Sequence, residues 1–71
     1  MKRETVAITA NGERKQVAYP CSVADLLAQN GWRAGQVVVE RNGKVLARGE
    51  LSTTELEEGD VLEVIVPVAG G

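Results

Sequence analysis

The residues most open to chemistry stand at the end of the chain, where an apolar run passes through Pro67 and Val68 into Ala69, Gly70 and Gly71. Two glycines present no side chain, so such a tail is thin and pliable enough to thread a narrow channel in another protein, and it leaves the Gly71 carboxylate unhindered. A carboxylate is a poor acyl donor until one of its oxygens becomes a leaving group. Attack on the α-phosphate of a nucleotide achieves this by forming a mixed anhydride with AMP, and a sulfur nucleophile can then displace AMP to leave a thiocarboxylate. In that chemistry Gly71, with Gly70 beside it, is a substrate. On composition alone the same ending also fits an inert, frayed terminus.

Little else in the chain offers catalysis. There is no His and only one Cys, which excludes Ser-His and Cys-His pairs, internal disulfides and metal centres of zinc or iron-sulfur type. The acids fall mostly in turns and surface positions, with no evident pocket to hold one of them neutral. The glycines before the tail stand singly beside turn residues and match neither phosphate-loop pattern. Cys21 reads in two ways: a thiol acidified by a helix N-terminus and able to link to a partner, or a small filler beside a helix cap. With no His to accompany it, the filler reading is the better one.

Ten acidic against eight basic side chains give a net charge of -2, which argues against nucleic acid or an anionic membrane as the main partner. The distribution is uneven. Residues 1–48 hold all eight Lys and Arg with four acids, net +4, whereas residues 50–71 hold six acids and no base. Such a block either steers a basic partner or forms a solvated loop and turn. No stretch approaches the roughly 18 apolar residues of a membrane span, and the N-terminus has no apolar signal core. A reduced, cytoplasmic protein is the expectation.

With 71 residues, 44% of them hydrophobic, the chain suffices for one domain and no second. A domain this small buries only about 60% of its unfolded surface, so a deep enclosed active site is not expected. Val6, Ile8 and Ala10 alternate with Thr5, Ala7 and Thr9, as in a strand with one buried face, and Asn11-Gly12 supplies a hairpin turn. The return arm, residues 14–19, carries Val17 and Tyr19, and Pro20 places it at a sheet edge. Ser22, with Asp25 three positions on, caps a helix over residues 23–30 that turns Val23, Leu26 and Leu27 inward, and Gly31 ends it. Trp32 is expected over the helix end.

Residues 37–41 and 44–46 flank Asn42-Gly43 as a second hairpin, the strongest short-range signal present. Leu51 and Leu56 anchor a polar connection, Glu58-Gly59-Asp60 turns, and residues 61–66 form a last strand with Leu62, Val64 and Val66 on one side. One helix must cover one apolar sheet face. Parallel pairing of the first and last strands at the centre, through a long crossover, makes this an α+β, β-grasp (ubiquitin-like) fold: a mixed sheet of four to five strands covered by one helix. The expected division is a β-grasp domain over residues 1–66 and a flexible, reactive tail over residues 67–71. Val61, Ile65 and Pro67 face away from Leu62 and Val64, so with Val68 and Ala69 they form an exposed strip suited to partner binding.

The chain resembles the ThiS family of sulfur-carrier proteins of thiamin biosynthesis, within the ubiquitin-like group that includes the small subunit of molybdopterin synthase. The likeness covers almost the whole chain. It rests on the order of Ile8-Thr9-Ala10-Asn11-Gly12-Glu13, Ser22-Val23-Ala24-Asp25-Leu26-Leu27, and Val37-Val38-Val39-Glu40-Arg41-Asn42-Gly43 with Val45 and Arg48. Glu55-Leu56-Glu57-Glu58-Gly59-Asp60, Glu63-Val64 and Gly70-Gly71 complete it.

The resemblance implies that Gly71 is adenylated by an E1-like (ThiF-like) enzyme using ATP and magnesium, the chain itself binding no cofactor. It implies further that sulfur arrives from a cysteine desulfurase and leaves at thiazole synthase (ThiG-like). The ending Pro67-Val68-Ala69-Gly70-Gly71 looks more like the molybdopterin-synthase small subunit. Delivery to molybdopterin, another metabolite or tRNA thiolation therefore stands as an alternative, as do a lysine-conjugating modifier and a binding module with an inert tail.

Overall fold

Asn11 and Gly12 sit at φ 51° and 83°, and Asn42 and Gly43 at φ 53° and 84°. These paired left-handed conformations are the ones a two-residue hairpin turn of the right twist demands. The first turn joins β1 (Thr5–Ala10) to β2 (Glu13–Ala18), and the second joins β3 (Val38–Arg41) to β4 (Lys44–Val45). Between the hairpins lies α1 (Val23–Gln29), and β5 (Val61–Ile65) closes the sequence of elements. The computed structural model describes residues 4–68; residues 1–3 and 69–71 lie outside the described residues, and with them the expected contact Ala69 and the expected reactive pair Gly70 and Gly71.

The sheet order is β2-β1-β5-β3-β4, with β1 and β5 parallel at the centre and the other pairs antiparallel. The expected β-grasp is thus the observed architecture, with five strands and β2 at an edge. Val6, Ile8 and Ala10 of β1, Val39 of β3, and Leu62 and Val64 of β5 face Val23, Leu26 and Leu27 of α1, all of them buried. Ser22 caps the helix as its sequence suggests: its Oγ accepts the Asp25 N–H at 3.0 Å, and Asp25 Oδ2 accepts the Ser22 N–H at 3.1 Å. The polar connection after β4 is tied down by buried Leu51 and Leu56. The Val23 and Ala24 N–H groups donate into it, to Thr54 O and Leu51 O at 2.9 and 2.8 Å. Among the described residues no helix is long and apolar enough to cross a membrane.

Two asparagines do more than turn a hairpin. β1 stops at Ala10 while β5 continues, so the backbone of Val64 loses its strand neighbour; the Asn11 side chain replaces it, its Oδ1 accepting the Val64 N–H at 2.7 Å and its Nδ2 donating to Val64 O at 3.2 Å. On the other side Asn42 Oδ1 accepts the Val61 N–H at 2.8 Å.

Three expectations need correction. Asp60, assigned with the other acids to turns and surface, is 5% exposed. Its carboxylate accepts Arg41 Nε at 2.9 Å, Asn42 Nδ2 at 3.0 Å and the Glu57 N–H at 2.8 Å, so its burial is compensated by three donors. The last strand ends at Ile65, and Val66 is 56% exposed instead of continuing the inward row of Leu62 and Val64. Pairing to β3 stops at Val38↔Ile65, and Pro67 has no N–H with which to extend it. Leu46, placed in the fourth strand, lies just beyond β4.

Asp60 binds the second hairpin to the start of β5, so Asp60→Ala is expected to destabilise the fold by about 2 kcal/mol, because it takes the acceptor from a half-buried guanidinium, an amide and the Glu57 N–H. A fall in the urea midpoint at pH 7 is the measurement. Burial alone would raise the Asp60 pKa, but hydrogen bonds from the Glu57 N–H, Asn42 and Arg41 outweigh it and hold the carboxyl below its usual range. A carboxyl with a depressed folded pKa adds stability that is complete above its unfolded pKa and disappears as pH falls through the folded value. Stability therefore declines on acidification below about pH 4, and the decline is shallower in Asp60→Asn; equal acid-side slopes would rule Asp60 out as its source.

Candidate functional site

The alternation of β5 sends Leu62 and Val64 to the core and Val61, Glu63 and Ile65 to the uncovered sheet face. Val61 is 47% and Ile65 45% exposed, as expected of a sheet with a single covering helix. Ile65 stands opposite Val38 of β3, itself exposed. Pro67 and Val68 follow, both exposed. The structure thus brings Val61, Ile65, Pro67 and Val68 onto one strand and its continuation, leading toward residues 69–71.

Beside this root lies an open cleft of about 460 Å³ between Val66, Pro67 and Val68 on one side and Gly35, Gln36, Val37 and Val38 on the other. Its far wall is a short 3₁₀ turn, Ala34–Gln36. Arg48 holds that wall, donating from Nη2 to Gly35 O at 2.9 Å. A side chain on Gly35 would collide with the guanidinium, since its Cβ would lie 2.9 Å from Arg48 Nη2. Val38 and Val66 were missed as members of the apolar surface. Both had a signal: strand alternation with Val39 inward exposes Val38, and a proline at 67 ends ladder pairing just beyond Val66.

The acidic block is partly consumed by the fold. Glu50 Oε1 accepts the Ala47 N–H at 2.7 Å, Glu58 Oε1 accepts the Ala7 N–H at 3.0 Å, and Asp60 is buried. Glu63 lies on the open face between Val61 and Ile65, opposite Glu40. Glu55 and Glu57 are exposed.

Cys21 is 3% exposed within the core cluster. Burial first, and then the Asp25 charge, push its thiol pKa up, with a hydrogen bond from Gln29 opposing them. The acidified-thiol reading of this residue is therefore set aside in favour of the core filler. Trp32 packs against the core at the helix end, its backbone N–H donating to Leu27 O at 2.9 Å, as its position suggested. Among the described residues no group of three or more His, Cys, Asp or Glu could hold a metal ion.

Comparison with known proteins places these features in a group. The sequence profile of the ThiS family matches residues 3–71. A crystal structure of a thiamine biosynthesis protein (ThiS) from Geobacter metallireducens superposes with a TM-score of 0.77 at 35% identity, covering 93% of this chain and all of that one. An NMR solution structure of a thiamine biosynthesis protein from the same organism gives 0.76 at 33% identity, covering 93% of this chain and 88% of the other. A thiazole synthase of Paramagnetospirillum magneticum (strain ATCC 700264 / AMB-1) is 28% identical over 64 residues, or 90% of this chain. The chain spans only 20% of that relative's length.

The surroundings of Cys21 determine how the thiol behaves in solution. In the folded protein at neutral pH it should react with a disulfide reagent far more slowly than in urea, because the thiolate is both scarce and shielded. Release of the coloured thiolate leaving group reads this directly; equal rates in the two states would contradict the burial.

Proposed function

Since the chain belongs to the ThiS family, we propose that it is a sulfur carrier protein for thiazole formation in thiamin biosynthesis, a protein co-substrate and not an enzyme. The observation that carries this reading is the family match over residues 3–71, which runs to Gly70 and Gly71. In the proposed sequence a Gly71 carboxylate oxygen attacks the α-phosphate of ATP on an E1-like (ThiF-like) enzyme that also holds magnesium, and pyrophosphate leaves. A sulfur nucleophile, its sulfur drawn from a cysteine desulfurase and brought to the sulfide level by two thiols that leave as a disulfide, attacks the acyl carbon of the adenylate and AMP departs. The resulting thiocarboxylate is the form delivered to the acceptor.

Thiazole synthase (ThiG-like) is the acceptor we favour. The relative of that name contains, within one polypeptide, a segment similar to this chain, an arrangement suited to a carrier and acceptor that must meet at every turnover. In this role residues 1–66 are the folded handle and residues 67–71 the tail that enters the partner. Val61, Ile65, Pro67, Val68 and Ala69 lie against the partner's surface, and Gly70 and Gly71 reach its reactive centre. The site of action is the cytoplasm.

Intact-mass measurement after incubation with the adenylating enzyme, ATP and a sulfur source tests the chemistry. The expected gain is that of one oxygen exchanged for one sulfur at the C-terminus, and it vanishes when Gly70 and Gly71 are removed. No gain, or the formation of conjugates with lysines, refutes the carrier reading. For the surface, Ile65→Glu is expected to raise the KM for adenylation by about tenfold, since it places a charge in an apolar contact. Its unfolding midpoint should change little, because Ile65 lies on the exposed face of β5. An unchanged KM would remove the open sheet face from the interaction.

A further inference from the structure

Hydrogen bonding along β5 alternates between its two neighbours, and following that alternation past Ile65 exposes an unfilled position. Odd-numbered residues face β3: the Asn42 N–H donates to Val61 O at 2.7 Å, and Val38 stands opposite Ile65. Even-numbered residues face β1: the Asn11 N–H donates to Leu62 O at 3.0 Å, and the Asn11 amide takes both backbone groups of Val64. The next residue on that side is Val66, and among the described residues neither its N–H nor that of Val68 makes a hydrogen bond. Pro67 fixes its own φ and holds Val66 in an extended conformation, so the alternation continues through this step.

Pro67 also makes the two sides unequal. On the β3 side the next donor after Ile65 would be the residue 67 N–H, which proline lacks, and the 3₁₀ turn Ala34–Gln36 flanks that side. If that alternation carries on past Ile65, the Val66 and Val68 N–H groups turn to the β1 side about 7 Å apart, the spacing of successive ladder positions on one strand edge. Among the described residues no strand lies there, because β1 has already turned back at Asn11-Gly12 and the Asn11 amide fills only the Val64 position.

We propose that this one-sided edge, beginning where the Asn11 amide stops, is filled by a short extended segment of the adenylating partner, which adds a strand beside Val66 and Val68. The inference rests on the carrier reading above and adds to it the mode of recognition. Backbone pairing on one edge sets the direction and register of the tail before its last residues, which have no side chains to be read. The occupant is a polypeptide strand because what the edge presents is backbone donors at strand spacing.

Val66→Pro removes the Val66 donor without disturbing a bond in the free fold, and Val66→Ala keeps that donor while trimming the side chain. With the adenylating enzyme as probe and ATP–pyrophosphate exchange as readout, Val66→Pro should raise the carrier KM by about tenfold or more, as for one stranded hydrogen bond at an interface. Val66→Ala, which trims the apolar side chain but keeps the donor, should raise that KM by a clearly smaller factor than Val66→Pro. Hydrogen exchange at the Val66 N–H, fast in the free chain, should slow on complex formation. If wild type supports exchange but the two variants behave alike, or the Val66 N–H stays unprotected, the edge proposal fails and the carrier reading stands. If wild type supports no exchange, both fail. A concentration-dependent dimer that Val66→Pro abolishes would give the edge to a second copy and overturn the proposal.

Discussion

The parallel pairing of β1 with β5 is the constraint on which the rest of the structure depends. Parallel neighbours need a long crossover, and here the crossover comprises α1, the β3–β4 hairpin and the connection anchored by Leu51 and Leu56. It returns the last strand to the middle of the sheet, where it is gripped from both sides. The pairing is staggered: Thr9↔Val61 and Ala10↔Leu62 form the β1–β5 register, after which β1 ends and β5 goes on. That stagger leaves Val64 to be completed by Asn11 and carries the chain out of the sheet at Val66. A tail rising from a central strand inherits its direction from two neighbours, whereas one hanging from an edge strand would have a single neighbour to orient it.

A second constraint is size. One seven-residue helix can cover one face of a five-stranded sheet and no more. Val38, Val61 and Ile65 are therefore left on the open face by geometry, and they lie on the strands nearest the tail root. Among the described residues the buried polar chemistry is confined to one place. Asp60 sits where the second hairpin meets the start of β5, and there Arg41, Asn42 and the Glu57 N–H supply donors enough to compensate its desolvation.

Features that depend on neighbouring residues were legible in the sequence. The Asn-Gly turns, the Ser22–Asp25 cap, the inward rows Val6, Ile8, Ala10 and Val23, Leu26, Leu27, and the edge position of β2 all follow from spacings of two to four residues. What escaped depends on register between distant segments. Asp60 looks like a turn acid until β3 is laid beside β5 and Arg41 arrives next to it, and Asn11 looks like a turn former until the β1–β5 stagger leaves Val64 open. Val66 continues the inward alternation by type, yet pairing has ended before it, and only the position of Val38 shows where. For the candidate site, the outward face of β5 could be read from alternation alone, while the roles of Gly70 and Gly71 came from the chemistry of an unhindered carboxylate and from family likeness.

The proposed role asks two opposed things of one short segment. A carboxylate that must enter another protein's active site needs a narrow end, and two residues without side chains are the narrowest the sequence can supply. Delivery nevertheless requires that the end start from a defined point and leave in a defined direction. The transition between these demands falls at Val66 and Pro67, one step past the last strand pair, where proline narrows the backbone choices and removes a donor from one side.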